Sequence, residues 1–277
     1  MSSEPRLLTI AGADSGGAAG LQADLKTFTA LGAYGMSVTT LLTAQNSLGV
    51  HAVHALPVDF IAAQLEAVLT DLGVDSLKTG MLARVDVIEM VAGRLQPLTC
   101  PKVIDPVIVN GKGERIVKDG VLEAYRTLFH QATLITPNVR EAQHFSGVTI
   151  EQPADMVKAA QVMLQSGAKA VLVKGGYLPK RVGLDCLCIA GKETVWLEAD
   201  TTHTANTHGT GCTLAAACAT YLAREHDNKT STEAAIETAV RHAKAFVTGA
   251  IDAGAKRTLG QGRGPVKHTW QHQPHDA

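Results

Sequence analysis

The run Asn206, Thr207, His208, Gly209, Thr210, Gly211, Cys212 has the residue types to hold an anion beside a reactive thiol. Its glycines let the backbone turn tightly, and the small-residue stretch Thr213, Leu214, Ala215, Ala216, Ala217, Cys218 reads as a helix that starts there. A glycine-flanked helix start exposes unpaired N–H groups and the positive end of the helix dipole, which suits a phosphate. Cys212 lies at that positive end. Its thiol is therefore expected below the free value of about 8.5, reactive as a base or nucleophile. An inert small cysteine in an ordinary helix start is the bland alternative.

Other chemistry-bearing residues fall at the ends of predicted strands. The apolar segment Leu7 to Ala11 runs into a loop rich in glycine, from Gly12 through Asp14 to Gly20, after which Leu21, Leu25, Phe28 and Leu31 recur at helical spacing. This loop is neither GxGxxG nor a P-loop with its Lys-Ser/Thr ending, so it implies close approach of a ligand to bare backbone. The β-rich run Tyr34 to Ala44 ends in Gln45, an amide able to read a heterocycle, and Asn46, better explained as a turn cap. Asp105 ends the strand Pro101 to Ile104 at the carboxyl edge where open α/β sheets bind ligands; an Asp before Pro also starts ordinary turns.

After the strand Thr133 to Thr136, Asn138 and Glu141 have the spacing of a capping box. The functional alternative is that they hold the hydrated magnesium of a nucleotide. Lys174 ends the strand Lys169 to Val173 ahead of Gly175 and Gly176, where one ammonium and freed N–H groups can meet a phosphate; a solvated lysine at a turn is the alternative.

The elements that must position these residues alternate strand and helix. Helices are expected over Pro57 to Leu72, Val85 to Leu95, Gly120 to His130, Ala154 to Ser166, Cys212 to Arg224 and Glu233 to Gly254, and a hairpin over Asp185 to Ile189 and Glu193 to Leu197. The pattern predicts a mostly parallel sheet with an antiparallel edge. Residues 109–117 form a polar, glycine-bearing flap, and the tail from Lys256, with His268, His272 and His275, is expected to be partly disordered.

With 277 residues, 45% of them apolar and 18% charged, the chain suits one large α/β domain. A net charge of −1 gives no electrostatic case for nucleic acid or anionic membranes. The cysteines, at 100, 186, 188, 212 and 218, follow no zinc spacing and point to a reducing compartment. With no membrane-length apolar run and no signal-peptide pattern at Met1 to Arg6, a cytoplasmic protein is expected.

The run AGADSGGAAGLQADLKTFTALGAYGMSVTTLLTAQN, then KTGML, DPVIV, ITPNVREA, VLVKGG and NTHGTGCTLAAA, resembles the bacterial hydroxymethylpyrimidine and phosphomethylpyrimidine kinases of thiamin synthesis, in the ribokinase-like superfamily. The likeness extends in order from Leu7 to about Ala253. It implies a three-layer α/β/α sandwich and magnesium-dependent phosphoryl transfer from ATP to a 5-hydroxymethylpyrimidine and then to its monophosphate. Matched position by position, it places Gly12, Asp24, Gln45, Met81 and Val107 around the pyrimidine, although by spacing alone Asp24 is an exposed position of the first helix. Cys212 matches the base, beside the turn of Gly209, Thr210 and Gly211; Asn138, Lys174 and His208 match the nucleotide side, and Asp105 and Glu141 the metal side. A homodimer is also implied.

The chain departs from the family in the loop GADSGGAAG, in the flap NGKGERIV and in Tyr177, where a His often follows the glycine pair. Pyridoxal kinases of the same superfamily are therefore an alternative. A Cys/His acyl-transfer pair of His208 and Cys212 is a second, and a non-catalytic ligand sensor a third.

Overall fold

The computed structural model describes residues 4–110, 114–178, 181–200, 202–227 and 232–272. In chain order the elements are β1 (Arg6–Asp14), α1 (Gly20–Ala30), β2 (Tyr34–Asn46), β3 (Gly49–Ala55), α2 (Val58–Ala67), β4 (Ser76–Thr79), α3 (Val85–Leu95), β5 (Lys102–Ile104), α4 (Val121–Phe129), β6 (Leu134–Ile135), α5 (Val139–Ser146), α6 (Pro153–Leu164), β7 (Ala170–Val173), β8 (Asp185–Ile189), β9 (Val195–Leu197), α7 (Thr210–Asp227) and α8 (Thr232–Gly254). The strands form one nine-stranded sheet in the order β3-β2-β1-β4-β5-β6-β7-β8-β9. From β2 to β7 it is parallel, while β3 at one edge and β8 and β9 at the other are antiparallel.

Both faces of the central strands are covered, so they are apolar in unbroken runs and successive side chains serve opposite layers. Leu8, Ile104, Val171 and Val173 pack with α2 to α6 residues such as Ile61, Ile88, Leu128 and Met156. Their neighbours Leu7, Val103, Ala170 and Leu172 pack on the other face with α1, α7 and α8 residues such as Phe28, Ala216 and Phe246. This is the three-layer α/β/α sandwich expected from the sequence. Small alanines at 215–217 and 219, all buried, let α7 lie close to the sheet.

The helix expected over Pro57 to Leu72 is α-helical only to Ala67; Val68–Leu72 widens into a π-helical turn that ends at Gly73, whose φ is 71°. Strand β3 has no counterpart among the sequence expectations, because all seven of its residues are exposed and leave no buried face to read. In the flap, Val109 bridges Arg115, and Asn110 N–H donates to the Glu114 carbonyl (2.9 Å); Gly111, Lys112 and Gly113 lie outside the described residues. The C-terminal segment packs back on the body, with Val266 and His268 buried, and His275 lies outside the described residues.

Candidate active site

The carboxyl ends of β5, β6 and β7 and the start of α7 open on one cavity of about 470 Å³. Asp105, Val107, Asn138, Glu141, Lys174, His208, Gly209, Thr210, Gly211 and Cys212 all line it, so ten of the fourteen residues singled out from the sequence share one space. The other four, Gly12, Asp24, Gln45 and Met81, do not line it.

The turn before α7 is shaped by close backbone approach. Gly209 has φ 83°, and a Cβ there would lie 1.7 Å from the Ala18 carbonyl oxygen, so the first loop and this turn can touch only through glycine. Helix α7 begins at Thr210, two residues before the expected start. Thr213 N–H makes the first helical bond, to Gly209 O (2.9 Å), while the N–H groups of Gly211 and Cys212 have no hydrogen-bond partner among the described residues. They are the orphan donors that an anion would satisfy. The Lys174 ammonium is close by, 3.4 Å from where a Cβ on Gly211 would stand.

Lys174 Nζ also meets Asp105 Oδ1 at 2.8 Å, and Thr136 Oγ1 donates to the same oxygen at 3.1 Å. Burial alone would push Lys174 down, but Asp105 and Glu141 outweigh it and hold the ammonium up and charged. The capping box at the start of α5 is present: Glu141 N–H donates to Asn138 Oδ1 (3.0 Å) and Asn138 N–H to Glu141 Oε2 (2.8 Å). Burial pushes the Glu141 carboxyl up to about 8, with Lys174 opposing and Asp105 adding repulsion. Asp105 Oδ2 has no hydrogen-bond partner among the described residues. Two buried acidic groups with a free oxygen facing the cavity fit a magnesium ion that keeps most of its waters.

The expected sign of the Cys212 shift is reversed. Burial pushes the thiol up to about 11; Lys78 pulls it down, Asp24 and Asp105 push it up, and a hydrogen bond from the Gly20 backbone lowers it. The helix start supplies donors, but the thiol has lost more water than they replace.

Asp24 is buried, not exposed. Leu21, Asp24, Phe28 and Leu31 are spaced three, four and three apart, which puts Asp24 on the inward face of α1. Its carboxylate accepts from Thr9 Oγ1 (2.7 Å) and from Lys78 Nζ (2.9 and 3.0 Å). Gln45 reaches the cavity through His208: its amide nitrogen is 3.0 Å from His208 Nε2. The Met81 carbonyl accepts from Thr40 Oγ1 (2.9 Å), and Gly12 packs on Leu41. The His208 ring faces Gln45 and, at 3.8 Å, Asp14, so it is not oriented by the chain as a partner for Cys212.

Sequence reasoning gave no role to Lys78, Arg263 or Asp14. Lys78 is a charged residue inside the otherwise uncharged strand β4, which was a readable signal. Arg263 lines the cavity, its guanidinium held by Thr207 Oγ1 (2.9 Å) and Thr207 O (3.1 Å) from a segment distant in sequence. The Asp14 carboxylate accepts the N–H groups of Gly16, Ala18 and Ala19 at 2.8 to 3.0 Å and so fixes the first loop.

A cleft with orphan N–H donors, a paired lysine and buried carboxylates at the strand ends of an α/β/α sandwich defines a ribokinase-like phosphotransferase. Solved structures agree: an ADP complex of Bacillus subtilis pyridoxal kinase superposes with a TM-score of 0.87 at 38% identity, covering 97% of this chain and 99% of that one. Phosphomethylpyrimidine kinase from Clostridium difficile gives 0.78 at 36% identity, covering 90% of this chain and 100% of that one. The sequence matches the phosphomethylpyrimidine kinase family over residues 14–267. Hydroxymethylpyrimidine/phosphomethylpyrimidine kinase of Streptomyces coelicolor is 45% identical, covering 96% of this chain and 95% of the relative. The chain belongs to the phosphomethylpyrimidine kinase family.

Proposed function

We propose that this protein transfers the γ-phosphoryl group of ATP to the 5-hydroxymethyl group of 4-amino-5-hydroxymethyl-2-methylpyrimidine, and then a second one to the resulting monophosphate, in thiamin synthesis. The observation that carries this reading is the pair of N–H groups of Gly211 and Cys212, without a partner among the described residues, beside the Lys174 ammonium in the cavity lining. Phosphoryl transfer needs positioning and charge neutralisation more than covalent chemistry. The turn 209–211 cradles the transferring group, and Lys174, held by Asp105, shares its charge. Asp105 and Glu141 are the residues that would hold magnesium, which on binding neutralises nucleotide phosphate charge. Cys212 takes the proton of the substrate hydroxyl, late in the transfer, because an alcohol cannot be deprotonated in advance by a thiolate. The family likeness assigns Gly12, Gln45, Met81 and Val107 to the pyrimidine, of which Val107 lines the cavity and Gln45 reaches it through His208, and assigns Asn138 and His208 to the nucleotide. The enzyme works as a cytoplasmic homodimer, which light scattering on the purified protein tests.

A coupled ATP-consumption assay with hydroxymethylpyrimidine, its monophosphate and pyridoxal, with and without magnesium, checks the assignment. Turnover of both pyrimidines that requires magnesium is expected. A second reading, a pyridoxal kinase, is favoured by the likeness to the pyridoxal kinases of B. subtilis and Staphylococcus aureus, and pyridoxal turnover above pyrimidine turnover would establish it instead.

A further inference from the structure

Lysine and arginine give the cavity lining three cationic side chains among the described residues, Lys174, Lys244 and Arg263. Lys174 pairs with Asp105 at 2.8 Å and Lys244 with Asp185 at 2.6 Å. Arg263 has no carboxylate within ion-pair distance among the described residues. Its Nε and Nη2 donate to Thr207 Oγ1 (2.9 Å) and Thr207 O (3.1 Å), and Nη1 has no partner there. The loop that carries it is built onto the site. The N–H groups of Gln261 and Gly262 donate to Ser47 Oγ (3.1 Å each) and that of Arg263 to Ser47 O (3.1 Å). A Cβ on Gly262 would stand 2.1 Å from Ser47 O, and one on Gly264 2.1 Å from Asn206 Oδ1, so the loop meets both neighbours at backbone distance. Ser47 follows Gln45 by two residues. Thr207 O accepts the Thr210 hydroxyl (2.7 Å) as well as Arg263, which ties the guanidinium to the first residue of α7. The loop thus bridges the end of β2, which carries Gln45, and the anion turn.

We propose that Arg263 recognises the phosphate of the monophosphate substrate and so is a specificity-determining residue for the second transfer. In that step an oxygen of the pyrimidine monophosphate forms the bond to the γ-phosphorus of ATP while the bond from that phosphorus to the bridging oxygen of ADP breaks. A monoester with a second pKa of about 6 is ionised near neutrality, so no proton has to leave, but two anions have to meet. Lys174 serves the transferring group, and the incoming phosphate needs a cation of its own. A planar guanidinium locked along one edge, open at Nη1 and without a carboxylate to satisfy it, is suited to a phosphate. The hydroxymethyl substrate brings no anion, so the first transfer asks nothing of this charge.

The inference rests on the pyrimidine-kinase reading, and binding measured apart from turnover separates the two. Isothermal titration of the full chain compares hydroxymethylpyrimidine and its monophosphate, each without nucleotide, and the ATP analogue AMP-PCP alone. Arg263→Gln is expected to weaken the monophosphate about tenfold, the scale of one charge-assisted hydrogen bond, and to move the unphosphorylated pyrimidine by less than about twofold. Arg263→Lys, which keeps the charge and loses the fork, is expected to fall between the parent and Arg263→Gln. The loop's bonds to Ser47 come from main-chain donors, so side-chain substitution leaves them in place. An equal loss for both pyrimidines would make the arginine a strut of the loop, a loss confined to AMP-PCP would assign it to the nucleotide's phosphates, and no loss would leave it without a role; each result overturns the proposal. A parent that binds the monophosphate through Arg263 but turns over neither pyrimidine would sink the functional reading and leave the phosphate site standing. A parent that turns over hydroxymethylpyrimidine yet does not bind the monophosphate would sink the site alone.

Discussion

At the scale of single residues, the two phosphoryl transfers ask different things of Cys212. A hydroxymethyl group must lose a proton, whereas a phosphate monoester, with a second pKa of about 6, is already anionic near neutrality. Cys212→Ala is therefore expected to cut the first transfer by about 10² to 10⁴ and to leave the second within a few-fold, measured with each substrate separately. With the thiol pushed up to about 11 in the free enzyme, the thiolate fraction rises with pH throughout the physiological range. The first transfer should rise from pH 7 to 9 in the parent and lose that slope in Cys212→Ala. A parallel loss in both transfers would move Cys212 from base to a packing residue of the anion turn. His208 is pushed down by burial, with Asp14 pulling the other way, and its Nε2 lies 3.0 Å from the Gln45 amide nitrogen.

At the scale of elements, two helix starts face the cavity and are built differently. The start of α7 depends on Gly209, whose positive φ and 1.7 Å approach to Ala18 O leave no room for a side chain. Gly209→Ala is expected to abolish measurable turnover and to destabilise by more than about 1 kcal/mol, since a residue forced into that region is strained by about 1–3 kcal/mol even before the clash. Thermal melting and the coupled assay read the two losses. The start of α5 is closed by side chains, Asn138 and Glu141, and Asn138→Ala should cost about 1 kcal/mol through the lost cap. The oxygen that caps Asn138 N–H belongs to a carboxyl group that also lines the cavity.

At the scale of the whole molecule, the C-terminal segment ties the α7 start to the rest of the fold. His208 N–H donates to Gly264 O (3.0 Å), Asn206 Nδ2 donates to the carbonyls of Gly254, Ala255 and Arg257 at 2.8 to 3.2 Å, and His268 Nε2 is 3.1 Å from Thr213 Oγ1. Burial, with Lys26 and Arg257, pushes His268 down to about 4. An unfolded histidine titrates near 6.5, so below that pH the unfolded chain binds a proton the folded one refuses, and stability falls as pH drops from about 6.5 to about 4. At pH 5 this group should cost about 2 kcal/mol relative to pH 7. Urea midpoints at the two pH values should differ less in His268→Gln than in the parent, and an unchanged difference would show that the ring is solvated.

What the sequence determined by itself was everything carried by local pattern: the alternation of strands and helices, the glycines of the two turns, the capping box at Asn138, and the placing of Asp105, Lys174 and Cys212 at strand or helix ends. Apolar period and turn chemistry act within a few residues, so they are readable along the chain. The edge strand β3 escaped because it buries nothing, and Asp24 because its polarity outweighed a helical spacing that already turned it inward. Tertiary structure decided the rest. Asp24 and Lys78 are 54 residues apart, and Thr207 and Arg263 are 56, so no local signal pairs them. The direction of the Cys212 shift was likewise set by how much water the packed layers exclude and which charges they bring near, quantities that exist only once the sheet, α1 and α7 have closed around the thiol.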